Sequence, residues 1–126
     1  MIIMDADTKE ILAIFQGKGS EHDFSIFKRS KMKLCEMLIL LADSGFQGIQ
    51  NLHSACWIPY KGSKHKPLTD AQKRVNKALS RIRIRIEHVN RRLKRFRIFS
   101  CRYRNKRKRH GLRMSLLSGI YNFEIS

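Results

Sequence analysis

The sequence predicts an α/β fold, a mixed sheet flanked by helices. Three observations carry that expectation: two short β-type segments within residues 2–16, an unbroken apolar run at 37–42, and an apolar stripe of helical period from Val75 to Phe96. With 126 residues the chain is one domain's worth, long enough for a single core.

The elements follow in order along the chain. "IIM" and "ILAIFQ" flank the polar turn "DADTKE" and predict a hairpin of strands 2–4 and 11–16. A strand starting at residue 2 exposes an edge that other polypeptide should cover. Gly17 and Gly19 mark the next turn, and Ser20 is placed to cap a short helix with Phe24 and Phe27 on one side. "MLILLA" reads as a strand buried on both faces, stopping at Asp43. Residues 49–68 are loop-like, with both prolines, Gly62 and a cluster of lysines. Thr69 and Gln72 have capping-box spacing and predict a helix start.

"RIRIRI" alternates with a period of two, as a strand would. The wider window decides otherwise, because Val75, Leu79, Ile82, Ile86, Val89, Leu93 and Phe96 recur at steps of four and three, leaving only Ile84 aside. One amphipathic helix over 69–95 is expected. "RIFSCRYR" then reads as a turn or short extended piece and "NKRKRH" as a basic run. "LRMSLLSGIYNF" predicts a last helix with Leu112, Leu116, Ile120 and Phe123 on one face.

Composition narrows the partner. Twenty-seven Lys and Arg against ten Asp and Glu give a net charge of +17, mostly after residue 60, which favours a polyanion and above all nucleic acid. No apolar run approaches the roughly 18–20 residues of a membrane span, and Met1 opens without a basic leader and apolar stretch. A soluble, cytosolic chain with no membrane partner is expected. Cys35, Cys56 and Cys101 are odd in number and lack CxxC spacing. His53 and Cys56 form one pair with no second beside it, so ordinary cysteines are favoured over zinc ligands.

Two carboxylates stand out. At about 100 degrees per residue, Arg83, Glu87 and Lys94 fall within about 40 degrees of one another, at the border of the apolar stripe. Taken singly, Glu87 reads as an i±4 partner of Arg83 or Arg91, and Asp43 before Ser-Gly reads as turn chemistry. Taken together, an acid at a strand end and an acid on a helix offer hard oxygens to Mg²⁺, amid Lys and Arg suited to phosphates. That combination is the one used by two-metal phosphoryl-transfer enzymes acting on nucleic acid.

"GKGSEHDFSIFKRSK", "LILLADSGFQGIQNLH" and the block from Ser80 to Ile125 together resemble the C-terminal half of bacterial DDE-superfamily insertion-sequence transposases, in particular the group numbered five, related to group four. The resemblance covers nearly the whole chain. It implies a ribonuclease H-like mixed sheet with flanking helices, N-terminally incomplete here, and an Asp-Asp-Glu triad holding two Mg²⁺ or Mn²⁺ ions. Asp43, before Gly45, Phe46 and Gly48, matches the second acid. Glu87 matches the third, within a signature of Tyr, Arg, Glu and Lys in which Arg83 and Lys94 fit and Ser80 replaces the tyrosine. Both acids would be catalytic and metal-binding. His22 and Asp23 match a further block, with a helix-start role.

On the same resemblance Arg83, Arg91, Lys94, Arg95, Arg102 and Arg104 would hold the DNA backbone. The first Asp should lie upstream of Met1, since Asp5 and Asp7, the only acids before Glu10, fall at the hairpin turn. The implied partners are transposon-end and target DNA, with an upstream transposase half or a second copy, in the nucleoid-associated cytoplasm of a bacterium. The isolated chain is expected to be inactive. The alternative class is a non-catalytic basic module in which Phe96, Phe99 and Tyr103 interleave with phosphate-binding cations.

Overall fold

The computed structural model describes residues 1–100 and 109–126. Two compact units emerge: Met1–Gln16 with Ile82–Ser126, and Gly17–Arg81.

In the first unit, β1 (Ile2–Met4) and β2 (Ile11–Ile14) form the expected hairpin, antiparallel and with an irregular register between Ile3 and Met4. Its turn is built by Asp5, whose Oδ1 accepts the N–H groups of Asp7 at 2.8 Å and Thr8 at 2.9 Å. Lys9 closes the turn with a φ of 66°, donating its N–H to the Asp5 carbonyl. Short helix α3 (Arg97–Ser100) and helix α4 (His110–Ile125) complete the described part of this unit. Ile11, Val89, Leu93 and Tyr121 form the core, with Ile2, Met4, Phe99 and Ile125 packed around it.

Asn122 ties α4 to β2. Its carboxamide accepts the Ile11 N–H at 2.8 Å and donates to the Ile11 carbonyl at 2.9 Å, acting as a one-residue neighbour to the strand. This inverts the face expected of the last helix. Ser118 and Tyr121 are buried, whereas Leu112, Leu116, Ile120 and Phe123 are exposed by 72, 64, 42 and 84 %. The helix is apolar on both sides, and the side carrying Asn122 is the one that can satisfy the strand's polar groups.

In the second unit, α1 (Asp23–Ser30) starts two residues later than Ser20 would have capped it. His22 is the cap residue, its carbonyl receiving the first N–H bonds from Ser25 and Ile26, and Asp23 places a negative charge in the first turn. Gly17 is needed here, because a Cβ would lie 2.3 Å from the buried Ile26 side chain. The apolar run at 37–42 contributes only β3 (Leu40–Leu41), paired in parallel with β4 (Cys56–Trp57) inside the stretch expected to be loop. Met37, Leu38 and Ile39 are exposed, a correction to the doubly buried strand. The chain turns there, with Leu38 N–H bonded to Cys35 O, and only the Leu40 and Ala42 N–H groups reach across to Ala55 and Trp57. Burial on both faces needs a layer on each side of a wider parallel sheet. Among the described residues the expected mixed sheet is thus represented by two separate two-stranded pairs.

Helix α2 (Asp70–Leu93) belongs by sequence to both units and agrees with the expectation within two residues at its C-terminal end. Its capping box is reciprocal: Thr69 N–H donates to Gln72 Oε1 at 3.0 Å and Gln72 N–H to Thr69 Oγ1 at 3.3 Å. Leu79 is buried in the second unit and Val89 and Leu93 in the first, whereas Ile84, off the stripe, is exposed, and so are Val75 and Ile82 on it, by 39 and 36 %.

Candidate active site

Asp43 follows β3, at the carboxyl end of the parallel pair, where open α/β sheets present their functional groups. The turn after it is fixed at several points. Ser44 N–H donates to Asp43 Oδ1 at 2.5 Å, and Phe46 N–H donates to the Asp43 carbonyl at 2.9 Å. Phe46 packs at 5.6 Å between ring centroids against Phe24 of α1, over which Lys28 places its ammonium. Gly48, with φ of 88°, then reverses the chain into a 3-10 turn at Ile49–Asn51, and Ile49 is fully buried. The positive φ is the reason for glycine at 48. Asp43 itself is an exposed residue held on this braced turn.

His53 supports the strand that leads into the same turn, its Nε2 lying 2.6 Å from the Leu38 carbonyl. That bond gives His53 a structural duty and explains its burial. Cys56 is a buried free thiol whose pKa is pushed up by desolvation, which keeps it protonated and inert.

Glu87 lies on the exposed side of α2. Its Oε1 is 3.7 Å from Arg83 Nη2, the i−4 contact that the spacing predicts. Lys94 lies one residue past the end of the helix, yet its N–H still bonds to Asn90 O at 3.0 Å, so the helical turn carries it onto the same stripe as Arg83 and Glu87. Arg91, Lys94 and Arg95 are exposed cations. Arg102 and Arg104 lie outside the described residues. Arg85, which the sequence pattern does not single out, reaches the hairpin turn, donating to Ala6 O at 2.7 Å and pairing with Asp7 at 3.2 Å. No periodicity announces such a contact between positions far apart in the chain.

Asp5 and Asp7 are therefore both engaged in building and bracing the hairpin turn. The N–H bonds from Thr8 and Asp7 hold the Asp5 carboxyl below its ordinary range. Asp43 lies in the unit Gly17–Arg81 and Glu87 in the other. Among the described residues no three His, Cys, Asp or Glu side chains gather into a metal-binding group. The two candidate acids nonetheless fit a hard divalent cation in donor type, both being exposed carboxylates, and Mg²⁺ needs only one or two from the protein when phosphates and waters supply the rest.

A strand-end acid on a braced turn and a helix acid in a basic stripe thus stand in a strongly cationic chain. The chain belongs to the DDE superfamily endonuclease family, which it matches over residues 1–122. It is 46% identical over 125 residues to a probable transposase for insertion sequence element IS702 from Microchaete diplosiphon. That match takes in 99% of this chain and 45% of the relative, so the chain spans less than half of the relative's length. No solved structure matches the chain. Among the described residues, no helix is long and apolar enough to cross a membrane.

Proposed function

We propose that this chain supplies the second and third carboxylates, Asp43 and Glu87, of a DDE transposase of the insertion-sequence group numbered five, on a ribonuclease H-like fold. The observation that carries the reading is Asp43 itself: an exposed acid at the carboxyl end of a parallel strand pair, on a turn braced by Phe46 and Ile49. Family membership and the helix acid with Arg83 and Lys94 on its stripe support it.

The first aspartate comes from polypeptide upstream of Met1, joined in one chain or associated with this one. Asp43 and Glu87 bind two Mg²⁺ or Mn²⁺ ions together with it. Ions held there would supply Lewis-acid chemistry for hydrolytic nicking at transposon ends and for attack of the freed 3′-hydroxyl on target DNA. Arg83, Arg91, Lys94 and Arg95, with Arg102 and Arg104, neutralise backbone phosphates. The protein works in the bacterial cytoplasm on nucleoid DNA.

The test compares the purified chain with the same chain joined to its upstream coding segment, on DNA carrying the element's ends with Mg²⁺. The joined form should cut, Glu87→Gln should abolish cutting, and the chain alone should not cut. Cutting by the chain alone would contradict the missing first acid. Tight, salt-dependent binding by both forms that ignores Mg²⁺ and survives Asp43→Asn and Glu87→Gln would favour the non-catalytic basic module.

A further inference from the structure

The stretch between Asp43 and Asp70 has a feature that the proposed chemistry does not use. It contains no acidic residue, and it carries Lys61, Lys64 and Lys66 together with Trp57 and Tyr60. Both aromatic side chains are exposed, by 58 and 51 %. Among the described residues none of these three lysines is paired with a carboxylate.

Backbone contacts fix each part in place. Trp57 ends β4, where alternation along the strand turns it away from the buried Cys56, and its carbonyl accepts the Ala42 N–H at 3.0 Å. It therefore stands one strand away from the residue that precedes Asp43. Tyr60 is held by Asn76 of α2, whose carboxamide accepts the Tyr60 N–H at 2.8 Å and donates to the Tyr60 carbonyl at 3.0 Å. Beyond it the chain folds back in a tight turn. Ser63 N–H bonds to Lys66 O at 3.0 Å and Lys66 N–H to Ser63 O at 3.2 Å, which leaves Lys64 and His65 at the tip. A braced backbone with exposed aromatic and cationic side chains is what a preorganised binding surface requires.

Lysines alone suit the phosphates of any nucleic acid, but the aromatic rings choose between its forms. In a duplex each base is covered on both faces by its neighbours, so an exposed indole finds a free π-face only where bases are unpaired. Trp57 and Tyr60 are three residues apart, at most about 10 Å of chain, so both can meet one short run of nucleotides. We propose that Trp57 and Tyr60 form a stacking site for the unpaired bases of a DNA strand beside Asp43, with Lys61, Lys64 and Lys66 on its phosphates. The inference rests on the nucleic-acid partner of the function proposed above and is independent of its metal site.

Trp57 is the only tryptophan of the chain, so its fluorescence reports on the site directly. The full chain is titrated, at near-physiological salt and without divalent metal, with a strand of about ten thymidine nucleotides and with a hairpin duplex, binding being followed in parallel by anisotropy of labelled DNA. The single strand should quench Trp57 emission as it binds, and the duplex should bind without quenching. Trp57→Ala and Tyr60→Ala, at positions already exposed and so tolerated by the fold, should each weaken single-strand binding about tenfold and duplex binding less than about twofold, and Trp57→Phe should retain most of the affinity. Replacing Lys61, Lys64 and Lys66 together by alanine should reduce the salt slope of single-strand binding by about 2. Single-strand binding that leaves Trp57 emission unchanged and survives Trp57→Ala and Tyr60→Ala overturns the stacking site while leaving DNA as the partner. Equal losses of single-strand and duplex affinity in both variants overturn the preference for unpaired bases. Binding of neither form overturns the site together with the nucleic-acid reading. An indole shielded from acrylamide when the upstream coding segment is joined to Met1, with quenching by the single strand lost, overturns the site and assigns Trp57 to contact with that segment.

Discussion

Replacing Glu87 by glutamine separates a functional acid from a structural one. The partner in the fold is Arg83 at 3.7 Å, with the Glu87 and Arg83 side chains exposed by 58 and 41 % respectively. At that distance, in a water-like dielectric, the gross attraction is about 1 kcal/mol. Ordering two long side chains and screening by salt reduce the net contribution to about 0.3–0.5 kcal/mol. Glutamine has nearly the helix propensity and shape of glutamate, so Glu87→Gln should cost no more than about 0.5 kcal/mol in urea unfolding followed by circular dichroism. Its effect on metal binding should be out of proportion, since it removes one of the two carboxylates proposed as ligands and should weaken Mn²⁺ binding by about tenfold or more. A stability loss above about 1.5 kcal/mol with unchanged Mn²⁺ affinity would refute the reasoning and make Glu87 a helix-stabilising residue.

Asn122→Ala strips the Ile11 N–H and carbonyl of their side-chain partner at a part-buried position, and at about 1–3 kcal/mol for each orphaned group it should destabilise the first unit by about 2–6 kcal/mol. Hydrogen exchange at the Ile11 amide should accelerate accordingly; unchanged protection would show that water takes over both bonds. Lys31 caps α1 in the left-handed region at φ of 49°, so Lys31→Gly should raise the midpoint of the second unit's unfolding by an amount equivalent to about 0.5–1 kcal/mol. Asp5 is held below its ordinary pKa by the Thr8 and Asp7 N–H groups. The folded state therefore favours its ionised form. Its contribution is complete above the ordinary aspartate value of about 3.9 and is lost as pH falls through the lower native value. An NMR titration should place the Asp5 midpoint below that of a model peptide, and Asp5→Asn, which keeps an acceptor oxygen, should preserve the turn while removing this acid dependence.

The long helix was legible because two local signals agree, a sustained apolar stripe and the reciprocal Thr69–Gln72 box, and neither depends on distant residues. The position of Asp43 was legible for a similar reason: an apolar run ending at an acid and Ser-Gly leaves the acid at a strand end. The length of that strand was not. Apolar character states a preference for burial, whereas strand length depends on what pairs alongside, and here only Leu40 and Leu41 are ladder residues. The orientation of α4 was ambiguous in principle, since Met114, Leu117, Tyr121 and Ile125 make a second apolar face as regular as the first, and the decision rests on one amide meeting Ile11. Arg85 likewise reads as one more cation in a basic run until the hairpin tip is placed beside it.

Paramagnetic broadening by Mn²⁺ in a two-dimensional NMR spectrum of the intact chain would test most directly whether Asp43 and Glu87 serve one metal site. Amide signals around Ser44 and around Glu87 should broaden together at the same Mn²⁺ concentration, in the millimolar range expected of a site short of one ligand, and Glu87→Gln should weaken the broadening at both places. Broadening confined to the hairpin turn at Asp5 and Asp7, or at Asp43 and Glu87 independently of each other, would contradict a shared site.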